Sequence, residues 1–382
     1  MFIFTTLMKQ STCNVLSIVP YRILPPSSGG HLGIASLHHY LGLLCNDHIV
    51  STEDNIADGS YSFHLHKIFP PSIKRYIPYY KLGEITKLAR TLNINAIYCD
   101  HPYMAPSAAA LAKKLNVPWF MRSHNIESER FRTLDKKWWP VMRSFEGTMM
   151  RKADGVFLIT PEDMKWAKEH YLLAPEKCHL ITYGTTLDKA PTGHKEAKHK
   201  VAAQLQVDEN ILWLYFLGAM DFYPNVHALT FILDEVIPRL NKRNIKYQVL
   251  IAGKGLAAEL KERIDNTPFI KYTGFIPDLH DFLNACDVML NPVLLGGGIK
   301  TKAVEALGYN KIVISSFSGS AGLVIEACGN NLHVSGDYDW DAFTDNIVGS
   351  LNETPSIPAS FYETYYWGNI AQKIVSIICP KA

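Results

Sequence analysis

Short apolar runs alternate along most of this chain with longer stretches whose apolar positions recur every three or four residues. The first kind reads as strands buried on both faces, the second as amphipathic helices. In the first half, strands are expected over 14–20, 96–100, 118–124, 155–160 and 179–184. Helices are expected from near Ile34 and over 107–115, 138–152 and 163–170. The second half repeats the plan, with strands over 211–218, 247–253, 270–274, 287–295 and 311–316. Its helices are expected over 226–240, 256–264, 279–285 and directly after residue 298. Such alternation argues for parallel sheets joined by crossover helices, and the two halves for two doubly wound α/β domains. Between them, residues 187–200 are polar, contain Pro191 and Gly193 and show no apolar period, which is a linker composition. Pro355 and Pro358 break the chain again before a last helix over 361–378. The expected divisions are therefore 1–188, 189–358 and 359–382. The opening M-F-I-F-T-T-L-M-K-Q lacks the basic lead and cleavage site of a signal peptide. It reads as a first strand or a short leader before 14–20.

The glycine run G-G-G-I-K-T-K-A-V-E, Gly296 to Glu305, stands where a strand end meets a helix start. Free backbone N–H groups and the helix dipole hold phosphate in that geometry. Lys300 and Lys302 bring mobile positive charge to the same place, and two lysines in a first turn oppose the dipole unless an anion compensates. Glu305 lies one turn deeper and could accept hydrogen bonds from a sugar diol. A diphosphate joined to a ribose suits all three, so a nucleotide-sugar is the simplest ligand. The plainer reading is a pair of solvated lysines and a surface glutamate on an ordinary α/β turn.

Other polar residues fall at strand C-termini, where doubly wound sheets bind ligands, here toward a shared crevice. Gly29, Gly30 and Gly33, with His31 among them, read as a loop after the first strand that lets backbone approach a ligand. His124 and Asn125 follow a strand ending in Arg122 and Ser123; His101 follows A-I-Y-C-D. A lone histidine is as readily a satisfied structural residue. Gly253 and Lys254 end another strand, with Lys254 within reach of a phosphate, and Gly274, Phe275 and Ile276 could offer backbone to a base. Ser318 to Ser320 are candidates for the same rim.

Composition narrows the field. The chain has 382 residues, 47% of them hydrophobic and 19% charged, with a formal net charge of +2. That is two domains of ordinary core, and nucleic acid is not indicated by charge. No apolar run reaches the roughly 18 residues of a spanning helix. The seven cysteines, at 13, 45, 99, 178, 286, 328 and 379, show no metal-type spacing and read as reduced core cysteines of a cytoplasmic protein. The basic-aromatic stretches at 74–81 and 130–139 suit an anionic membrane interface, and equally describe solvated helices. D-Y-D at 337–339 reads as a turn and helix cap rather than a metal-binding Asp-x-Asp, and no metal is expected.

At this point the sequence resembles retaining GT-B glycosyltransferases of family 4. The subgroup it resembles carries G-G-G-x-(R/K)-x-K-x-x-E in place of Glu-x7-Glu, and Gly296 to Glu305 match every fixed position. F-L-G-A-M-D-F-Y-P-N-V-H-A-L (216–229), Y-T-G-F-I-P-D-L (272–279), R-S-H-N-I-E (122–127) and Y-Y-W-G-N-I-A-Q-K-I (365–374) resemble further segments of that subgroup. Two departures are visible. Position 297 is glycine where the first Glu would stand, and the Arg and Lys that follow the first donor-domain strand are absent, with Met220, Asp221 and Asn225 nearby.

The resemblance implies an N-terminal acceptor domain, a C-terminal donor domain and a last helix crossing back onto the first domain. It implies transfer from a UDP-, GDP- or dTDP-linked sugar to a glycan or polyprenyl-linked acceptor, without metal or other cofactor, at the inner face of a membrane. Donor contacts would come from Gly30, Gly253, Lys254, Gly274, Phe275, Ile276, Gly297, Gly298, Ile299, Lys300, Thr301, Lys302 and Glu305. Gly29, His31, Gly33, His101 and Asn125 would lie on the acceptor side, and His124 would face the donor sugar. The other readings are a non-catalytic scaffold that binds nucleotide-sugar and a nucleotide-sugar epimerase, the latter needing a carboxylate pair not evident in the sequence.

Overall fold

A computed structural model describes residues 13–26 and 28–380; the expected strand or leader at the very N-terminus lies outside them. The chain forms two compact units, one of Met1–Thr186 with Thr364–Ala382, the other of Leu187–Glu363.

Unit 1 runs β1 (Asn14–Ile18), α1 (Gly29–Leu44), β2 (Asn46–Thr52), β3 (His64–Phe69), α2 (Leu82–Thr91), β4 (Ala96–Asp100), α3 (Ala105–Leu115) and β5 (Trp119–Ser123). It continues with α4 (Glu127–Thr133), α5 (Trp139–Lys152), β6 (Gly155–Leu158), α6 (Pro161–His170) and β7 (Cys178–Leu180). Unit 2 holds α7 (His194–Leu205), β8 (Leu212–Leu217), α8 (Tyr223–Phe231), a π-turn, α9 (Ile237–Leu240), β9 (Tyr247–Ala252), α10 (Ala258–Asp265) and β10 (Ile270–Gly274). Then follow α11 (Leu279–Ala285), β11 (Val288–Asn291), α12 (Thr301–Gly308), β12 (Ile312–Ser316), α13 (Ile325–Cys328), β13 (Leu332–Ser335) and α14 (Trp340–Ser350). The chain closes with α15 (Ala359–Tyr365) and α16 (Trp367–Ile378).

Both sheets are parallel, ordered β3-β2-β1-β4-β5-β6-β7 and β10-β9-β8-β11-β12-β13. Each is a doubly wound α/β sheet, as the alternation predicts. The order reverses between β1 and β4 in one unit and between β8 and β11 in the other, the positions where such sheets form ligand crevices at strand C-termini. The central strands are mostly apolar because helices cover both faces; Leu214, Phe216, Val249, Ile251, Leu290 and Ile314 are at most 1% exposed.

The last helix closes unit 1. Trp367, Ile370, Ala371, Ile374 and Ile378 recur at helical spacing and bury against Leu37, Leu41 and Leu44 of α1. Each large side chain so buried contributes roughly 2 kcal/mol from apolar burial. Thr185 anchors the helix start, its N–H donating to Tyr365 O at 2.7 Å and its carbonyl accepting from Trp367 N at 3.0 Å.

Four expectations are corrected. Cys13 and Cys379, 366 residues apart, form a disulfide that ties the start of β1 to the end of α16, while the other five cysteines are buried thiols. No local spacing signals that pair, because the fold alone brings the two ends together. Residues 187–200 are not a free linker: α7 begins inside them and is held to the sheet by Lys198 on Asp287 and by the Asn284 side chain on Thr192 O. The strand expected over 287–295 stops at Asn291, since Pro292 has no N–H for the ladder. The glycines at 29, 30 and 33 lie not in a loop but in the first turns of α1. Ser28 caps that helix, accepting from His31 N.

Candidate functional site

In unit 2 the candidate residues gather at the C-terminal ends of β8, β9 and β10 and at the start of α12. Gly253 has φ +142° and packs against the Gly218 carbonyl so closely that any β-carbon there would collide with it. Only glycine therefore lets β9 end beside β8, with Gly253 N donating to Gly274 O at 2.8 Å. Lys254 projects from this rim over the Phe275 ring, 4.0 Å from its centre. Phe275 is 60% exposed and Ile276 is half-buried beyond β10.

Lys302 reaches the same rim from α12. Its Nζ donates to Asn225 Oδ1 at 2.7 Å and sits 4.3 Å from the Phe216 ring centre, while Asn225 Nδ2 donates to Ala219 O. Asn225, one of the residues near the missing Arg and Lys, thus positions the lysine. Lys300 turns back on its own loop, donating to Gly296 O at 2.7 Å and Gly298 O at 3.0 Å. That loop is shaped by left-handed φ at Gly296 and Gly298, and carries Gly297 and Ile299 between β11 and the helix. α12 starts at Thr301 with no side-chain cap, leaving its first N–H groups for a ligand.

The electrostatics are unbalanced. Burial pushes Lys302 down to about 7, helped by the neighbouring Lys300, and burial pushes Lys300 down to about 8. Burial also raises the Glu305 carboxyl. Neither lysine is ion-paired, and no cation lies within ion-pair distance of Glu305, among the described residues. Glu305 faces the phenols of Tyr215 and Tyr309 instead, and the buried Tyr215 hydroxyl has no hydrogen-bond partner. All three groups thus sit away from their preferred charge states and would be relieved by an anion beside the lysines and hydroxyls beside the glutamate.

In unit 1 the candidates at β4 and β5 come together. His124 Nε2 pairs with Asp100 Oδ1 at 2.7 Å, and the His124 ring stacks on His101 at 4.3 Å and 3°. His101 holds this place with φ +85°, a strained conformation for a side chain of its size. Burial alone would raise Asp100, but His124, Arg122 and His101 outweigh it and hold the carboxyl well below its usual range. Burial and the adjacent His124 push His101 well down. Asp100 Oδ2, His101 Nδ1, Arg122 Nε and Nη1 and the Tyr21 hydroxyl are buried without hydrogen-bond partners. Asn125 is half-buried next to His124, its carbonyl accepting from Ser123 Oγ at 2.6 Å.

The N-terminal glycines have different settings. Gly33 is a packing position, where a β-carbon would strike the Tyr183 ring. Gly29, Gly30 and His31 lie in the capped first turn of α1. Sequence reasoning gave no role to Asp100; the signal was available, since this carboxylate closes the otherwise apolar strand β4. Ser318 to Ser320 form a 3-10 turn pinned by Asn291 Nδ2 to Gly319 O and by Asp337 to Ser318. Asp339 caps α14, accepting from Ala342 N, which is the turn-and-cap role expected of D-Y-D.

Comparison with known proteins gives these sites a context. Residues 34–189 match the model described as Glycosyltransferase Family 4, and residues 212–353 match Glycosyl transferases group 1. A curated relative, an uncharacterized 44.6 kDa protein in the cps region of Klebsiella pneumoniae, is 28% identical over 114 residues. The alignment spans 28% of this chain and only 29% of that relative. Among solved structures, a glycosyltransferase from Rickettsia africae superposes with a TM-score of 0.73 at 15% identity, over 97% of this chain and 100% of the other. HepE of Anabaena, in complex with UDP and glucose, gives 0.68 at 14% identity over 97% and 100%. WaaG, a glycosyltransferase involved in lipopolysaccharide biosynthesis, gives 0.64 at 11% identity over 96% and 100%. These likenesses establish the fold, and the two matched models together cover most of both units. The first unit thus carries a Glycosyltransferase Family 4 domain and the second a Glycosyl transferases group 1 domain, on the GT-B fold.

Proposed function

We propose that the chain transfers a glycosyl group from a nucleotide-sugar to a hydroxyl of a glycan or lipid-linked glycan, with retention at the anomeric carbon. The observation that carries the reading is the group of three displaced charges on α12: two lysines lowered and one glutamate raised, beside an uncapped helix start. A diphosphate restores charge to Lys300 and Lys302, and ribose hydroxyls donate to Glu305. The UDP bound by HepE makes a uridine donor the first to test.

In the step proposed, the acceptor hydroxyl attacks the anomeric carbon on the face from which the diphosphate departs. The new C–O bond forms as the bond to the phosphate oxygen breaks, and the acceptor proton passes to that oxygen. The developing negative charge is met by the two lysines and the N–H groups of α12, so that no metal is needed for it. His124, fixed by Asp100, is assigned to a hydroxyl of the transferred sugar.

The acceptor is proposed to lie at a membrane surface. Ile73, Ile77 and Tyr79 are 83%, 52% and 57% exposed beside Lys74 and Arg75, and Leu134 and Trp138 are 53% and 51% exposed beside Lys136 and Lys137. Apolar and basic residues exposed together favour an anionic bilayer. No helix among the described residues is long and apolar enough to cross one.

Thermal shift with UDP, GDP, dTDP, CMP and ADP tests the donor site. A diphosphate at 100 times its dissociation constant adds about 2.7 kcal/mol, a rise of a few degrees. One nucleotide should stabilise the wild type and neither Glu305→Ala nor Lys302→Ala. No shift with any of the five on folded protein would remove the nucleotide-sugar reading. Anomeric configuration of the product, read by proton NMR, then decides retention.

A further inference from the structure

Unit 2 holds a second cavity, of about 350 Å³, at the opposite end of its sheet from the glycine run. Leu212, Val288 and Ile312, the first residues of β8, β11 and β12, give it an apolar wall. Lys311, just before β12, also lines it and is 5% exposed. Its Nζ donates to Asn284 O at 2.7 Å and lies 3.3 Å from His194 Nδ1. No carboxylate lies within ion-pair distance of it among the described residues.

The acidic groups lining the cavity are already engaged. Asp287 Oδ2 accepts from Lys198 at 2.6 Å and from Trp213 N at 2.7 Å, and its Oδ1 faces His194 Nε2 at 3.2 Å. Glu353 is held by His333 at 3.0 Å. The ammonium is therefore a buried positive charge whose partners are dipoles, an arrangement that costs free energy unless an anion approaches. Burial pushes Lys311 down to about 8, consistent with that cost. α7 starts at the same cavity: its first residue, His194, lines the wall, and its N-cap, Gly193, has no side chain to satisfy the leading N–H groups. Glu196 in that first turn is exposed. A helix start and a buried lysine with no carboxylate partner among the described residues thus share one concave, partly apolar space of ligand size.

We propose that this cavity is a second ligand site, for a small organic anion whose carboxylate or phosphate head meets Lys311 and whose ring-sized body covers Leu212, Val288 and Ile312. Pro191 and His194 belong to the segment by which the chain enters unit 2, so an occupant would fasten that segment to the base of the sheet. The site uses none of the residues assigned to the donor.

Calorimetric titration of the full chain with phenyl phosphate, benzoate and benzyl alcohol tests this. A single site for at least one of the two anions is expected, with no heat from benzyl alcohol, and the stronger anion identifies the head group. Binding should persist in Lys302→Met, which disables the donor site. It should weaken at least about tenfold in Lys311→Met, the loss of one charge-assisted contact. Leu351→Trp, which narrows the cavity and leaves the charge untouched, should weaken it similarly and decides the matter if Lys311→Met fails to fold. Binding of neither anion, unchanged affinity in both cavity variants, or loss in Lys302→Met alone would overturn the proposal.

Discussion

Lys302 concentrates the chemistry of the proposed donor site in one side chain, positioned by Asn225 and packed against the Phe216 ring. Removing it should weaken nucleoside diphosphate binding about 10- to 100-fold, as expected for one charge-assisted contact in a partly buried site. Titration calorimetry of Lys302→Ala against the wild type measures this. The pH dependence has a definite sign. The ligand binds the protonated lysines, which the free protein holds to about 7 and 8. Raising pH from 7 to 9 should therefore weaken binding, by up to about tenfold per unit for each lysine. Lys302→Arg should flatten that curve, and a flat curve in the wild type would contradict the assignment. Stability of the free protein moves the other way. A lysine lowered in the folded state leaves the unfolded state with more protons, so stability rises as pH climbs from about 7 toward 10. At this scale the grouping of Gly296 to Glu305 was legible, because the residues are contiguous and one strand-to-helix turn fixes their geometry. The pairing of Asp100 with His124 was not. It spans 24 residues and exists because β4 and β5 are neighbours in register.

Among the elements, the segment that carries His124 into α4 depends on a carboxylate from another helix. Glu146 of α5 is fully buried and accepts from Glu127 N at 3.0 Å, Ser128 N at 3.1 Å and the Tyr171 hydroxyl at 2.6 Å. It caps α4 from outside, since Ile126 has no side chain able to do so. Burial raises Glu146 to about 7. A carboxyl raised on folding stabilises the fold below its unfolded value near 4.5. That contribution fades as pH passes about 7, a change on the order of 3 kcal/mol. Glu146→Gln should be less stable than the wild type at pH 5 and equal or better at pH 8, by urea denaturation at both values. The same buried polarity explains elements that were illegible. β2 escaped notice because its Asp47 is internal, bound by His38 at 2.7 Å and Ser17 at 2.6 Å, so it breaks the apolar run that marks a buried strand. β3, at the sheet edge, carries exposed His64 and Lys67 and a half-buried His66, and shows no such run. α7 looked like linker because its polar residues pair across the unit with Asp287, Asp281 and Asn284.

On the scale of the whole molecule, one winding is used twice. The first six strands of unit 1 and the six of unit 2 follow the same order, although no repeat shows in the sequence. Strand order follows from where helices cross, and that was readable as alternation, whereas the side chains filling each core share no spacing. The units differ in one respect: unit 2 is continuous in sequence, while unit 1 needs the last residues of the chain. Expressed separately, 187–363 should give a cooperative thermal transition. Residues 1–186 should not, since they leave Leu37, Leu41 and Leu44 uncovered. Adding 364–382 as a peptide should restore structure to the latter, followed by circular dichroism.

The interrupted make-up of unit 1 also imposes an order on biosynthesis. A domain read first from the messenger ordinarily completes its fold first. Here the segment that covers α1 is translated only after every residue of unit 2. The first unit must persist with an open apolar face through the translation of its neighbour. It is sealed only when the segment after residue 363 returns and Cys379 meets Cys13. Translation through residue 379 is thereby built into unit 1, because a polypeptide released earlier could possess a finished unit 2 and an unclosed unit 1.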